Sequence, residues 1–257
     1  MAQNKGFIID MDGTIYRGSQ LIDGAAEFID FLQRNNIRNV MLTNCPYNSP
    51  ASLHDKMKKM GISIPEKLFL TSGMAAASYV KGTLQMQKVY IIGSVALEEI
   101  FTNRGFVLTD KNPEAVIVGY DRNFTYEKMC KAVKLIHDTK AAFIATNRDN
   151  VVPDGNSIAP HTGAIAESIA VASGVEPIYL GKPHRMIVEE AARLMSCPLN
   201  SCCIIGDRLD TDIAAGINSG IDSFLVLSGC TTRKEAEASN ISPTKIFNHV
   251  GEIIHTL

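Results

Sequence analysis

The sequence predicts an α/β protein built on parallel β-sheets. Short runs of β-branched and apolar residues alternate along the 257-residue chain with longer segments of helical periodicity, which is the pattern of repeated β-α-β units. Polar residues follow several of these runs directly, as expected where parallel strands end at one edge of a sheet. The sequence contains no low-complexity tract, fixed-period repeat or long linker, so a second domain would be inserted into the first through short connections.

The predicted elements follow one another in a regular order. The apolar run 7–10 precedes a predicted helix over about 23–35, and the run 39–43 precedes one over about 49–60. Further strands, with helical segments between them, are predicted at 88–92, 115–119, 141–146, 177–181, 201–206 and 222–227. The last residues, 231–257, predict a helix, a strand and a helix, and the Gly- and Pro-rich stretch 147–163 predicts a long functional loop. About eight such units fit either one barrel or two open sheets.

Composition and charge are those of a soluble globular protein. Hydrophobic residues make up 46% and charged residues 20%, and the formal net charge is -2 with Lys and Arg scattered along the chain. This distribution lacks the basic patch that nucleic-acid binding needs. The apolar runs are too short for a membrane span or a signal peptide, so we expect a cytoplasmic protein with no membrane partner. The six cysteines show no zinc-binding spacing and predict reduced thiols.

Three predicted strands end in residues that carry chemistry. The ends lie in the stretches "FIIDMDGT", "VMLTN" and "CCIIGDRLDTD", and their polar residues are Asp10, Asp12, Thr43, Asn44, Asp207, Asp210 and Asp212. Carboxylates gathered at one sheet edge repel each other unless a cation neutralises them. Mg²⁺ prefers such oxygen ligands and commonly bridges carboxylates to a substrate phosphate. The sequence therefore predicts a magnesium site at this edge.

A lysine and a glycine complete the predicted constellation. Lys182, in "YLGKPHRM", starts the turn before a predicted helix, where its ammonium can bind phosphate oxygens. Gly13, directly after the two aspartates, offers a backbone N–H for the same purpose. A cation and Lys182 together would offset the charge of a phosphate, so that an anionic aspartate could attack it. The chemistry indicated is phosphoryl transfer.

The motifs, in this order, resemble those of the haloacid dehalogenase (HAD) superfamily. DMDGT, the Thr43-Asn44 pair, the GKP around Lys182 and GDRLDTD match its four motifs, and the resemblance implies a doubly wound, Rossmann-like parallel-sheet core. "ATNRD", "DGNSIAPHTGA" and "YLGKP" are similar to the NagD and p-nitrophenyl phosphatase-like branch. That branch implies a catalytic core over 1–80 and 178–257, a smaller inserted α/β cap domain over 81–177, and a homodimer through the cap.

The resemblance also implies roles for the acidic residues. Asp10 would be the nucleophile that forms an aspartyl-phosphate, and a ligand of Mg²⁺. Asp12 would be the general acid and base, and its backbone carbonyl a metal ligand. Asp207 would bind the metal, and Asp212 would support Asp207 or the waters on the metal.

The remaining motif residues would hold the substrate. By the same resemblance, Thr43 and the N–H of Asn44 would bind the transferred phosphoryl group, and Lys182 would neutralise it and fix the nucleophile. Asn147 and Asp149, in the predicted functional loop, are expected to face the leaving group of the substrate.

Several polar residues near these motifs have no assigned role. Arg148, Asn156 and His161 lie in the predicted loop and are further candidates to face the leaving group. Cys45 lacks a base nearby in the sequence, so we do not assign it as a nucleophile. His184 is expected in solvent at a helix start, and Asp210 is expected to be a solvated first-turn residue that favours the helix dipole.

The predicted function is that of a Mg²⁺-dependent phosphomonoesterase acting on small phosphorylated metabolites, such as sugar phosphates or nucleotide monophosphates. The alternatives are a phosphomutase and a phospho-accepting regulatory protein with the same Asp and Mg²⁺ site. A receiver domain would not place an acid/base two residues after its acceptor aspartate. A mutase would have to keep water from the aspartyl-phosphate. The glycine-rich cradles of nucleotide-binding proteins do not occur in the sequence.

Overall fold

The computed structural model describes residues 5–155 and 157–257, which form two compact units. The first unit comprises the residues up to Thr43, Pro50–Leu70 and Lys182–Leu257. The second comprises Asn44–Ser49 and Thr71–Gly181 and is therefore inserted into the first.

The limits of the second unit differ from the inserted domain predicted over 81–177. The unit begins earlier because the helix Ser72–Gly82 packs on the helix Val95–Thr102. It also takes in the short segment Asn44–Ser49, which begins with the second residue of the Thr43-Asn44 motif. Asn156 lies outside the described residues.

The described residues form strands and helices in alternation. The strands are β1 Gly6–Asp10, β2 Tyr16–Arg17, β3 Gln20–Leu21, β4 Arg38–Thr43, β5 Phe69–Thr71, β6 Lys88–Ile92, β7 Val107–Leu108, β8 Ala115–Val118, β9 Ala142–Ala145, β10 Val151–Asp154, β11 Ser157–Pro160, β12 Ile178–Tyr179, β13 Cys202–Gly206, β14 Asp222–Val226 and β15 Lys245–Phe247. The helices are α1 Ala25–Arg34, α2 Pro50–Lys59, α3 Ser72–Gly82, α4 Val95–Thr102, α5 Tyr126–Thr139, α6 Thr162–Ser173, α7 Arg185–Leu194, α8 Ala214–Ser219 and α9 Arg233–Ala238.

These elements confirm the strands and the two helices predicted from the sequence. Four short strands, β2, β3, β5 and β7, were not predicted, because two or three residues are too few to show a periodicity. The last predicted helix is present as a 3₁₀-helix, Val250–Thr256. No helix of the described residues combines the length and the apolar character that a membrane crossing requires.

The first unit is built on a six-stranded sheet with the order β15-β14-β13-β1-β4-β5. β1 pairs in parallel with β13 and β4, and the pairs β13 with β14 and β14 with β15 are also parallel. The chain winds outward from β1 in one direction and from β13 in the other, so the sheet is doubly wound, as predicted. The order reverses between β1 and β13, and their carboxyl ends flank the crevice where such sheets bind ligands.

The core of the first unit explains the apolar run of β1 and the spacing of apolar residues in α1. β1 is buried at every residue, because a central parallel strand has both faces covered, which accounts for its unbroken apolar run. α1 buries Ala25, Phe28, Ile29 and Leu32, the spacing of one helix face. The ring of Phe28 packs edge-on against Phe7 of β1, with the centroids 6.4 Å apart. This packing fixes the strand that carries the first motif.

The second unit contains a five-stranded sheet with the order β12-β9-β8-β6-β7, whose neighbouring strands are parallel. α5 and α6 pack against each other, and the buried cluster that joins them to the sheet includes Val116, Ile136, Phe143 and Ile169. The unit is thus α/β, as the resemblance implied for the cap.

The prediction of a long loop over 147–163 was wrong in part. β10 and β11 form an antiparallel hairpin inside this stretch, and α6 begins at Thr162. The chain passes through Gly155 with φ 62°, a left-handed conformation that suits a hairpin turn. The Pro and Gly residues of this stretch indicated a loop, and its two strands, with four residues each, are too short to be recognised from the sequence.

Candidate active site

The carboxyl edge of the first sheet brings the predicted acidic residues together. Asp10 is the last residue of β1, and Asp207 directly follows β13, the neighbouring parallel strand. Thr43 ends β4 on the other side of β1, where it is half-buried. Asp212 lies in the π-helical turn Leu209–Ile213 that follows β13. Parallel pairing therefore gathers residues that are distant in sequence at one edge.

We refer to the carboxylates of Asp10, Asp207 and Asp212, with the ammonium of Lys182, as the acidic site. Carboxylate oxygens of the three aspartates all lie within 4.8 Å of one another. All three side chains are buried, with residue exposures of 9%, 1% and 1%. Acids so placed are suited to share one hard cation.

Two glycines make room for the carboxylate of Asp207. A Cβ at Gly13 or at Gly229 would overlap this carboxylate. Gly13 also has φ 85°, a conformation that disfavours other residues. The N–H of Cys230 donates to Oδ2 of Asp207 at 2.6 Å. The glycines thus let the backbone approach closely enough to orient a buried acid.

Asp212 is held by similar means. A Cβ at Gly206 would overlap its carboxylate, and the N–H of Arg208 donates to its Oδ2 at 3.1 Å. Its other oxygen, Oδ1, accepts a hydrogen bond from Nζ of Lys182 at 2.6 Å. Asp212 therefore connects the lysine to the turn that follows β13.

Lys182 bridges two of the three aspartates. It is 3% exposed, and Nζ donates to Oδ1 of Asp10 as well as to Oδ1 of Asp212. Burial alone lowers the pKa of Lys182, but the charges of Asp10 and Asp212 outweigh it and raise the pKa above its ordinary value. The paired carboxylates therefore favour the charged form of the lysine.

The carboxylates remain in excess of this positive charge. Burial raises the pKa of Asp10 well above its ordinary value, Lys182 opposes the rise, and Asp212 and Asp207 add to it. Burial, with the charge of Asp212, also raises the pKa of Asp207. The three aspartates carry more negative charge than one ammonium balances, so the donor set and its charge fit a divalent cation.

Asp12 lies apart from this cluster. It is exposed, and its carboxylate is not among the three that gather at the acidic site. Partial desolvation raises the pKa of its carboxyl, while the charges of Lys56 and Arg17 act in the opposite direction. A raised pKa is what a carboxyl that must hold and release a proton needs.

The turn after Asp12 corrects one prediction. The N–H of Gly13, expected to bind substrate, donates to the carbonyl of Tyr16 at 2.7 Å and closes the turn. The carbonyl of Gly13 accepts from Oγ of Ser228 at 2.8 Å. Both polar backbone atoms of Gly13 therefore serve the loop, and its value to the site lies in the space it leaves.

A second group of predicted residues lies within the second unit. Nδ2 of Asn44 donates to Oδ2 of Asp149 at 3.1 Å, and Nδ2 of Asn147 donates to the carbonyl of Asn44 at 2.8 Å. Ser72, at the start of α3, donates through Oγ to the same carbonyl at 2.7 Å. We refer to Asn44, Ser72, Asn147 and Asp149 as the Asn44 network.

Arg148 and His161 make contacts inside the second unit. The exposed guanidinium of Arg148 lies 5.4 Å from the ring centroid of Tyr179. The ring of His161 is 4% exposed and stacks on Tyr120, with centroids 4.9 Å apart. Burial lowers the pKa of His161, which favours the neutral imidazole. His161 is therefore buried inside the second unit and is not a solvent-exposed loop residue.

Three further residues have structural neighbours. Sγ of Cys45 accepts from Nδ2 of Asn48 at 3.2 Å, and His184 is the half-buried N-cap residue of α7. Asp210 is exposed and accepts from the guanidinium of Arg208 at 2.8 and 3.1 Å. Asp210 thus has the solvent-facing place in the first turn that was predicted.

The sequence reasoning missed the loop after β14. Ser228, Gly229 and Cys230 contact Gly13 or Asp207, and the guanidinium of Arg17 donates to the carbonyls of Ser228 and Gly229 at 2.6 and 3.1 Å. A signal was present, because this loop follows a predicted strand of the same sheet. Its residues carry no charge, and so they did not stand out.

Comparisons with known proteins agree on one family. A haloacid dehalogenase-like hydrolase family matches residues 7–107, and a HAD-hydrolase-like family matches residues 179–253. The acid sugar phosphatase of Staphylococcus saprophyticus is 35% identical over 100% of this chain and 99% of its own length. NagD from Escherichia coli K-12 has a TM-score of 0.91 at 34% identity, covering 96% of this chain and 97% of that one. The 4-nitrophenylphosphatase of Thermotoga maritima has a TM-score of 0.93 at 31% identity, covering 99% and 97%.

Proposed function

The chain belongs to the haloacid dehalogenase-like hydrolases and is a phosphatase of their NagD-like branch, and we propose that it hydrolyses small phosphorylated metabolites with Mg²⁺ as cofactor. The observation that carries the proposal is the placement of Asp10. Its carboxylate ends the central strand, lies beside two further buried carboxylates and accepts a hydrogen bond from a buried lysine. Sugar phosphates are the first substrates to test, because a relative that matches over the whole chain is an acid sugar phosphatase.

In this proposal Asp10 is the nucleophile. Lys182 donates to Oδ1 of Asp10, and its ammonium would also bind a phosphoryl oxygen. An oxygen of Asp10 attacks phosphorus, the bond from phosphorus to the leaving oxygen breaks, and an aspartyl-phosphate forms. Water then attacks the same phosphorus, the bond to Asp10 breaks, and inorganic phosphate leaves.

Asp12 moves the proton in both steps. In its protonated form the carboxyl donates to the leaving oxygen, and partial desolvation, which raises its pKa, favours that form. The resulting carboxylate then accepts a proton from the attacking water. The hydroxyl of Thr43 and the N–H of Asn44, adjacent in the chain, would hold the equatorial oxygens of the phosphoryl group.

Asp10, Asp207 and the backbone carbonyl of Asp12 would hold the Mg²⁺, with Asp212 acting on Asp207 or on metal-bound waters. When bound, Mg²⁺ supplies positive charge that lets an anionic carboxylate approach an anionic phosphate. Asp207 and Asp212 are oriented by backbone N–H groups and a lysine, so the protein sets their geometry in advance.

The proposal is tested by measuring phosphate release from sugar phosphates, nucleotide monophosphates and p-nitrophenyl phosphate, with and without Mg²⁺. Release by the wild-type protein should require Mg²⁺. Asp10→Asn should lower kcat by about four orders of magnitude or more, because the nucleophile is lost. An Asp10→Asn protein that is folded and nearly as active as the wild type would rule out the aspartyl-phosphate. A wild-type protein that keeps its phosphoryl group after one turnover would instead be a mutase or a regulator.

A further inference from the structure

We propose that Ser72 and Asn147 are positioning residues that fix the backbone of Asn44 for the phosphoryl group, and that they do not select the leaving group. The inference rests on the proposed function, in which the N–H of Asn44 binds the transferred phosphoryl group. It assigns Asn147 a role different from the direct substrate contact predicted from the sequence.

The carbonyl of Asn44 is held by two donors from separate elements. Oγ of Ser72, at the start of α3, lies 2.7 Å from it, and Nδ2 of Asn147, just after β9, lies 2.8 Å from it. A carbonyl oxygen has two lone pairs, and here each has a donor. Hydrogen bonds from two residues that are distant in the chain therefore set the orientation of the peptide plane between Asn44 and Cys45.

The two donors are buried, and their polar groups are engaged within the second unit, as expected of positioning residues. Ser72 and Asn147 are both 0% exposed. The second polar atom of the Asn147 amide is also engaged, because Oδ1 accepts from the N–H of Asp149 at 3.0 Å. Both ends of the amide are therefore used inside the protein, which fixes which end is the donor.

The side chain of Asn44 is held as firmly as its carbonyl. Nδ2 donates to Oδ2 of Asp149 at 3.1 Å. Gly181 packs against the other side, since a Cβ there would lie 2.7 Å from Oδ1 of Asn44 and 2.8 Å from Cβ of Asn147. The carbonyl and the Cα–Cβ bond of Asn44 share one Cα with its N–H. Because Cα is tetrahedral, fixing the first two also fixes the position of the backbone nitrogen that carries this N–H.

This geometry predicts a specific kinetic signature. The phosphoryl group is common to all substrates, so a disturbed Asn44 N–H should slow them all by the same factor. A residue that contacts the leaving group would instead change the ratio between substrates. Misplacing a group that orients the substrate costs between about ten- and a hundredfold in rate.

The test compares Ser72→Ala and Asn147→Asp with the wild-type enzyme. Each change removes one donor to the carbonyl of Asn44 with little change of volume. We expect kcat/KM to fall between about ten- and a hundredfold, by the same factor for p-nitrophenyl phosphate and for glucose 6-phosphate. The inhibition constant for inorganic phosphate should rise in parallel, since phosphate uses the same N–H.

Ser168→Ala is the matched control. Its hydroxyl also donates to a backbone carbonyl of the second unit, that of Ile165 at 2.7 Å, but within α6. This variant should keep wild-type kinetics. Should Asn147→Asp fail to fold, Ser72→Ala still decides the question, because it leaves only a small buried void.

The outcomes separate the inference from the proposed function. If Ser72→Ala were folded and had the same kinetics as the wild type, the inference would be overturned and the proposed phosphatase function would stand. Losses that differ strongly between the two substrates would show a contact to the leaving group, which also overturns it. If the wild-type protein had no phosphatase activity, both the inference and the proposed function would be wrong.

Discussion

The acidic site of the first unit and the Asn44 network of the second hold their groups in place by opposite means. In the acidic site, three buried carboxylates lie within reach of one another with a single bridging lysine, and burial raises the pKa of Asp10 and of Asp207. In the Asn44 network, amide and hydroxyl donors each meet an oxygen acceptor at 2.7–3.1 Å.

The difference shows which interactions hold the side chains of each region in place. Like charges in a buried site repel, so the acidic site is under electrostatic stress that a cation relieves. The Asn44 network is satisfied by the protein alone, because its donors and acceptors match. We therefore expect mutations in the acidic site to change stability in a way that depends on Mg²⁺. Mutations in the Asn44 network should act through shape and be insensitive to Mg²⁺.

Lys182→Met gives the largest expected effect and tests the first half of this comparison. The change removes the ammonium between Asp10 and Asp212 but keeps a side chain of similar length. Breaking a buried ion pair from one side costs about 3–5 kcal/mol, because it leaves buried charge uncompensated. Chemical denaturation should show this loss for the first unit, and added Mg²⁺ should restore part of it. Phosphatase activity should be lost.

Lys58→Met is the control for this measurement. Lys58 lies on α2 and is exposed, so its replacement should leave stability and its response to Mg²⁺ unchanged. If Lys182→Met were as stable as the wild type and Mg²⁺ had no effect on either protein, charge balance would not be what orders the acidic site.

Asp207→Asn gives a smaller effect that sharpens the same point. Asparagine keeps the shape and can still accept from the N–H of Cys230, but it removes one negative charge. The Mg²⁺ concentration for half-maximal phosphate release should rise about tenfold or more, because a metal ligand loses its charge. At saturating Mg²⁺, kcat should recover in large part.

Asp210→Asn is the matched change three residues further along. Asp210 is exposed and pairs with Arg208, outside the carboxylate cluster. Its Mg²⁺ dependence should equal that of the wild type. An equal shift in both variants would mean that general negative charge, rather than ligation by Asp207, attracts the ion.

These acidic residues are also the part of the site that could be predicted from the sequence. Asp10 and Asp207 each follow an unbroken apolar run, and parallel pairing brings the ends of such runs to one edge. The doubly wound sheet follows from the same alternation. Charged residues at strand ends are conspicuous because burying them has a cost that only function offsets.

The Asn44 network could not be predicted in the same way. Ser72 and Asn147 are neutral, and their partner is a backbone carbonyl, which leaves no trace in the sequence. Asn147 stood out only because it lay in a stretch rich in Pro and Gly, and the hairpin β10–β11 shows that this stretch is more regular than its composition indicates. Hydrogen bonds to the backbone depend on tertiary distances, and these the residue types do not specify.

Gly181→Ala gives the smallest expected effect and tests the second half of the comparison. The added Cβ would lie 2.7 Å from Oδ1 of Asn44, so the network must shift to admit it. Overpacking of this kind costs typically about 1–3 kcal/mol. The midpoint temperature of thermal unfolding and kcat/KM should both decrease. Each decrease should be the same with and without excess Mg²⁺. Gly82→Ala is the control, since a Cβ there meets nothing within 4 Å. A loss in Gly181→Ala that Mg²⁺ repaired would mean that the Asn44 network also depends on the metal, and the contrast between the two regions would not hold.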